Sequence, residues 1–117
     1  MFHVPKLFFA AILAMAVLGI TLFRPLHAED LPVFELTLQN DAFVPADLKV
    51  PAGKPFILKV FNKEKSAVEI EAKDLKIEKV IASGGDIIAR VKSLKPGRYL
   101  LVNEYKEDTV KTYIVAE

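Results

Sequence analysis

The sequence predicts an all-β fold, a two-sheet Greek-key sandwich preceded by an N-terminal signal helix. Three observations carry this. Apolar and polar residues alternate with a period of two in several short segments. Turn signals separate those segments at spacings of about 8–12 residues. No stretch after residue 28 shows helical periodicity.

Phe34, Leu36 and Leu38 alternate with Glu35, Thr37 and Gln39, which predicts the first strand. Pro45, Pro51, Gly53 and Pro55 then punctuate the chain and forbid a helix. Pro55 to Asn62 is apolar on both faces, the mark of a central strand. Asn62-Lys63-Glu64-Lys65-Ser66 is a polar turn. Val68 and Ile70 alternate with Glu69 and Glu71, and Asp74-Leu75 fits a short turn. Leu75, Ile77, Val80 and Ile81 form an extended piece with a break expected near Glu78-Lys79. Ser83-Gly84-Gly85-Asp86 turns the chain into Ile87–Val91. Lys95-Pro96-Gly97-Arg98 is a turn in which Pro presets φ and Gly accepts φ > 0. Tyr99–Asn103 and Thr109–Val115 complete seven or eight strands. The expected core is Phe34, Leu36, Phe56, Leu58, Val60, Tyr99, Leu101 and Ile114.

The N-terminus has the layout of an export signal. Met1 and Lys6 bring positive charge, Leu7 to Phe23 is an uncharged apolar run, and Arg24-Pro25-Leu26-His27-Ala28 follows. Cleavage after Ala28 leaves Glu29 to Glu117, 89 of the 117 residues, as one small domain. The competing reading is a retained anchor, since the run is at the short edge of a spanning length. Both readings put the domain on the far side of the membrane, and the first makes it periplasmic.

Cleavage also changes the composition. Lys6 and Arg24 leave, so net charge moves from +1 to −1. His3, His27, Met1 and Met15 leave too, and the chain has no Cys at all. This excludes a disulfide scaffold and a thiolate zinc site. It equally excludes Ser-His-Asp and Cys-His catalysis in the exported domain. Lys and Glu are interspersed, so there is no basic footprint for nucleic acid.

Three acidic groups remain as candidates: Glu69, Glu71 and Asp74; Glu104, Glu107 and Asp108; and Asn40-Asp41. Glu69 and Glu71 are two apart on a strand and share a face. Their repulsion costs stability unless a cation lies between them. Carboxylates are hard oxygen ligands suited to Fe(III), Mn, Ca or Mg, and tolerated by Cu(II). The plain alternative is a solvated face neutralised by Lys73, Lys76, Lys106 or Lys111.

Phe43-Val44-Pro45, Leu48-Lys49-Val50-Pro51-Ala52-Gly53-Lys54-Pro55 and Val60-Phe61-Asn62 resemble the first half of a cupredoxin-like domain. Val68-Glu69-Ile70-Glu71, Asp74-Leu75, Lys95-Pro96-Gly97-Arg98-Tyr99 and Glu104-Tyr105 resemble its second half. The chain is most similar to small periplasmic cupredoxin-like proteins of bacterial iron-uptake systems, akin to the cupredoxin part of EfeO-type proteins. The resemblance implies an accessory protein that binds or hands over a copper or iron ion. It implies an iron permease or a companion periplasmic iron-binding protein as partner. Contact with the membrane would come through that partner or an uncleaved signal anchor. The implied metal residues are Glu69, Glu71 and Glu104, with Asp108 as an outer candidate.

Two departures are visible. The two His, Cys and axial Met of a type 1 copper site are absent after residue 28. The relatives' Glu-Tyr-His pattern is Glu104-Tyr105-Lys106 here, which exchanges an imidazole for an ammonium. A ferroxidase-type activity would need a redox copper that this pattern poorly supports. A metal-free β-sandwich that docks on a membrane partner is the alternative function.

Overall fold

The computed structural model describes residues 30–117. The expected signal segment and its cleavage site lie outside the described residues. Nine strands follow in order: β1 (Val33–Gln39), β2 (Ala42–Val44), β3 (Asp47–Val50), β4 (Phe56–Asn62), β5 (Val68–Ala72), β6 (Ile77–Ile81), β7 (Asp86–Val91), β8 (Gly97–Asn103) and β9 (Lys111–Ala116). Two 3-10 turns, Lys73–Leu75 and Glu104–Lys106, are the helical elements among the described residues. One sheet has the order β2-β1-β4-β7, and the other β3-β9-β8-β5-β6. Both sheets are mixed, because β1 runs parallel to β4 and β3 parallel to β9. Parallel neighbours need a crossover, and the chain supplies it by visiting the other sheet in between.

β4 is an interior strand flanked by β1 and β7, in agreement with its two apolar faces. Its Phe56, Leu58 and Val60 point into the core. Leu36, Leu101 and Ile114 are also fully buried. Phe34 and Tyr99 are half-buried and pack against that core. The Phe34 ring meets Phe56 edge-on at 5.6 Å.

The count exceeds expectation because β2 and β3 lie in the proline-punctuated stretch. Both are edge strands, where a neighbouring proline costs no bond on the solvent side. Asn40 and Asp41, both with φ of 55°, form the two-residue turn between β1 and β2. A tight hairpin of this kind requires positive φ at both positions, which Asn and Asp tolerate. The expected break near Glu78-Lys79 is absent, and β6 runs through it.

Asn62, fully buried at the end of β4, ties three segments together. Its Nδ2 donates to the carbonyls of Ser66 (2.9 Å), Ile81 (3.0 Å) and Ala82 (3.2 Å). Its Oδ1 accepts from the Glu64 N–H at 2.8 Å. A buried amide is stable here because its polar atoms are bonded.

Candidate metal centre

The outer face of the five-stranded sheet carries the acids. β5 alternates Val68, Ile70 and Ala72 inward with Glu69 and Glu71 outward. Ile70 pairs with Asn103 on β8, and Glu71 pairs with Val102 on β8 and Glu78 on β6. Glu69 therefore sits beside the start of the second 3-10 turn, where Glu104 is. Asn103 fixes that turn. Buried at the end of β8, it accepts from the N–H of Glu69 and of Tyr105, each at 3.3 Å.

Carboxylate oxygens of Glu69, Glu78 and Glu104 lie within 4.8 Å of one another. Glu104 Oε2 is buried with no hydrogen-bond partner among the described residues. The Glu104 carboxyl is pushed up to about 7, first because its protonated form could hydrogen-bond Glu71, then Glu69, with desolvation and the charges of both adding. The Glu78 carboxyl is also raised, chiefly by its hydrogen bond to Glu69 and that group's charge.

The sequence-chosen residues are thus divided. Glu69 and Glu104 come together, and Glu71 touches Glu104 while leaning on Lys73 Nζ at 3.6 Å. Asp108 stands apart, lining a neighbouring cavity of about 320 Å³ with Glu71, Lys73, Asp74, Glu107 and Lys111. Glu78 belongs to the cluster and was not among the residues the sequence singled out. Its place opposite Glu71 comes from the β5–β6 hairpin. The third acidic group is structural: Asp41 accepts from Lys106 Nζ at 2.9 Å, and its N–H donates to Glu64 Oε1 at 2.7 Å.

The raised carboxyl sets a pH dependence. An acid whose folded value lies above its unfolded one favours folding when protonated. Its stabilising effect is complete below about 4.5 and lost as pH rises through about 7. The metal-free chain is therefore expected to melt at a higher temperature near pH 5 than near pH 8. Glu104→Gln flattens that dependence, and an unaltered slope in this variant would contradict the cluster's geometry.

The donor set can be compared with a type 1 copper site. The described residues contain no Cys, His or Met, so they cannot supply thiolate, imidazole or thioether. They supply carboxylate oxygens instead.

Comparisons with known proteins agree with the architecture. The chain is 28% identical over 81 residues to an uncharacterised protein of Rickettsia prowazekii (strain Madrid E), spanning 69% of this chain and 65% of that protein, just under two thirds of its length. The structure resembles the metal-binding domain of a Cu(I)-exporting P-type ATPase of Streptococcus pneumoniae, solved with Cu(I), at a TM-score of 0.59 and 16% identity over 73% of this chain and 84% of that one. It resembles auracyanin from Roseiflexus castenholzii at a TM-score of 0.56 and 14% identity, covering 73% and 96% of the two chains. It also resembles a chain of a heme-copper terminal oxidase dimer at a TM-score of 0.61 and 16% identity, covering 90% and 86%. The fold is thus one shared with copper-binding proteins. Residues 10–116 match the family described as the cupredoxin-like domain, and the chain belongs to that family.

Proposed function

We propose that this cupredoxin-like chain is an exported, periplasmic accessory protein of an iron-uptake system. It binds an iron or copper ion through carboxylates and passes iron toward a permease or a companion iron-binding protein. The observation that carries the metal reading is Glu104. One of its oxygens is buried and unpartnered among the described residues, and its carboxylate meets those of Glu69 and Glu78. Such a group is costly to leave bare and is stabilised by a cation. An all-oxygen set suits Fe(III) and tolerates Cu(II), whereas Cu(I) prefers the soft ligands this face lacks. The relationship to copper-binding folds and the resemblance to iron-uptake proteins support the assignment to metal handling.

A specific feature favours the metal-free docking module as a second reading. Lys106, standing where the relatives carry an imidazole, is held by Asp41, and Lys73 leans on Glu71. The chain's own lysines already offset part of its acidic charge.

The two readings separate in a titration of Fe(III) and of Cu(II) into the metal-free full chain, followed by thermal melting. A rise with either ion supports the first, and no shift with either leaves the second. Export has its own check. Intact mass of the exported protein is expected to begin at Glu29, and a membrane-bound chain that retains Met1 would replace the periplasmic reading by an anchored one.

A further inference from the structure

The four-stranded sheet ends on β7, whose strand partner among the described residues is β4. Of the four edge strands β2, β3, β6 and β7, β7 is the longest, with six residues. Its backbone directions follow from the ladder. The Asn62 N–H donates to the Gly85 carbonyl at 2.8 Å, so residue 85 is in a bonded pair with β4. Antiparallel ladders alternate bonded and non-bonded pairs. Ile87, Ala89 and Val91 then direct their backbone groups to β4, and Asp86, Ile88 and Arg90 direct theirs outward. An edge of this kind is a template for another strand.

We propose that β7 pairs antiparallel with β7 of a second copy of this chain, centred on Ile88. The occupant is argued from charge. In that register Ile88 faces Ile88 of the other copy across the two-fold axis. Asp86 of each copy faces Arg90 of the other, which makes two opposite-charge pairs from one strand. Asp86 and Arg90 are exposed, and Ile88 is 61% exposed, so the pairing would cover an apolar side chain that now faces solvent. Lys59 stands 4.0 Å from Asp86 on the same face, so Asp86 would lie between two cations, while the Arg90 end of the edge borders a cavity that Arg90 shares with Asp74, Lys76 and Lys92. All three outward-facing residues meet outward-facing residues, so both copies' backbone groups are used. The interface is isologous and closes after two copies. It merges two four-stranded sheets into one of eight and leaves the carboxylate cluster, on the other sheet, untouched.

The test uses the absence of cysteine from the chain. In a bonded antiparallel pair the Cα atoms are about 5.5 Å apart, which suits a disulfide. The full chain carrying Ile88→Cys, kept in mild detergent because of its apolar N-terminal run, is oxidised gently. Its cross-linking is compared with that of Val33→Cys, a similarly exposed site on β1. Ile88→Cys is expected to cross-link at least about tenfold faster. Adding Asp86→Arg sets Arg against Arg90 and slows it about tenfold. Adding Arg90→Asp as well restores the rate, which a contact through the N-terminal run would not do. Circular dichroism confirms that each variant is folded. Equal rates for the two cysteine sites, or a rate indifferent to Asp86→Arg, would overturn the pairing.

Discussion

Leu58→Ala and Leu101→Ala are each expected to destabilise the domain by about 2–5 kcal/mol. Both side chains are fully buried in the shared core, Leu58 on β4 and Leu101 on β8, one from each sheet. Removing either leaves a cavity between layers that interior strands cannot collapse to fill, because their backbones are bonded on both sides. A domain of this size has roughly 5–15 kcal/mol in total. One such change therefore consumes a large share of its stability. Val33→Ala and Val44→Ala, at exposed positions of the four-stranded sheet, should stay within about 0.5 kcal/mol. Urea unfolding of the four variants tests the difference. The buried pair should lower the midpoint with little change in slope. If Leu58→Ala cost no more than Val33→Ala, the inward and outward sets of the four-stranded sheet would be exchanged.

That comparison rests on alternation, which is why so much of the fold could be read from the sequence. A period of two assigns Leu36, Leu38, Leu58 and Val60 to one face, and a slip by one residue would expose them all. Strand spacing and turn signals supplied the sandwich, and the family resemblance agrees with it. What escaped reading lay in local backbone conformation. Asn40-Asp41 looked like a candidate acidic site, but positive φ at both residues makes it a hairpin turn. The β5–β6 hairpin depends on Lys76 in a left-handed conformation, φ 56°, a rare choice for lysine that no sequence pattern announces. Without that turn, the register of Glu71 with Glu78 is invisible. Val80, opposite Glu69, is 59% exposed and lies on the same acidic face. Asp108 was selected by nearness in sequence to Glu104. The 3-10 turn that follows Asn103 separates the two and sends Asp108 to the next cavity.

Metal is expected to raise the melting temperature of the chain by about 10 °C or more, at free Fe(III) or Cu(II) a hundredfold above the dissociation constant. The variants discriminate between the five acids. Glu78→Gln and Glu104→Gln should each remove most of the rise, because each deletes a charged oxygen donor from the three-way cluster. The double change Glu69→Gln, Glu71→Gln should abolish it, since it takes away a cluster member and the carboxylate that most raises Glu104. Asp108→Asn should leave it intact. The metal-free variants should move the other way. Neutralising any member of a repelling set relieves the charge that raises Glu104 and Glu78, so these proteins should melt slightly above the unaltered chain near pH 8. Opposite signs with and without metal are the signature of a site held open by repulsion and closed by a cation. A purely solvated face predicts neither sign, because exposed ion pairs contribute roughly 0–1 kcal/mol and are indifferent to transition metals. A metal-induced rise that survived Glu104→Gln would move the binding elsewhere, and the buried Glu104 oxygen would then have to be explained by the fold alone.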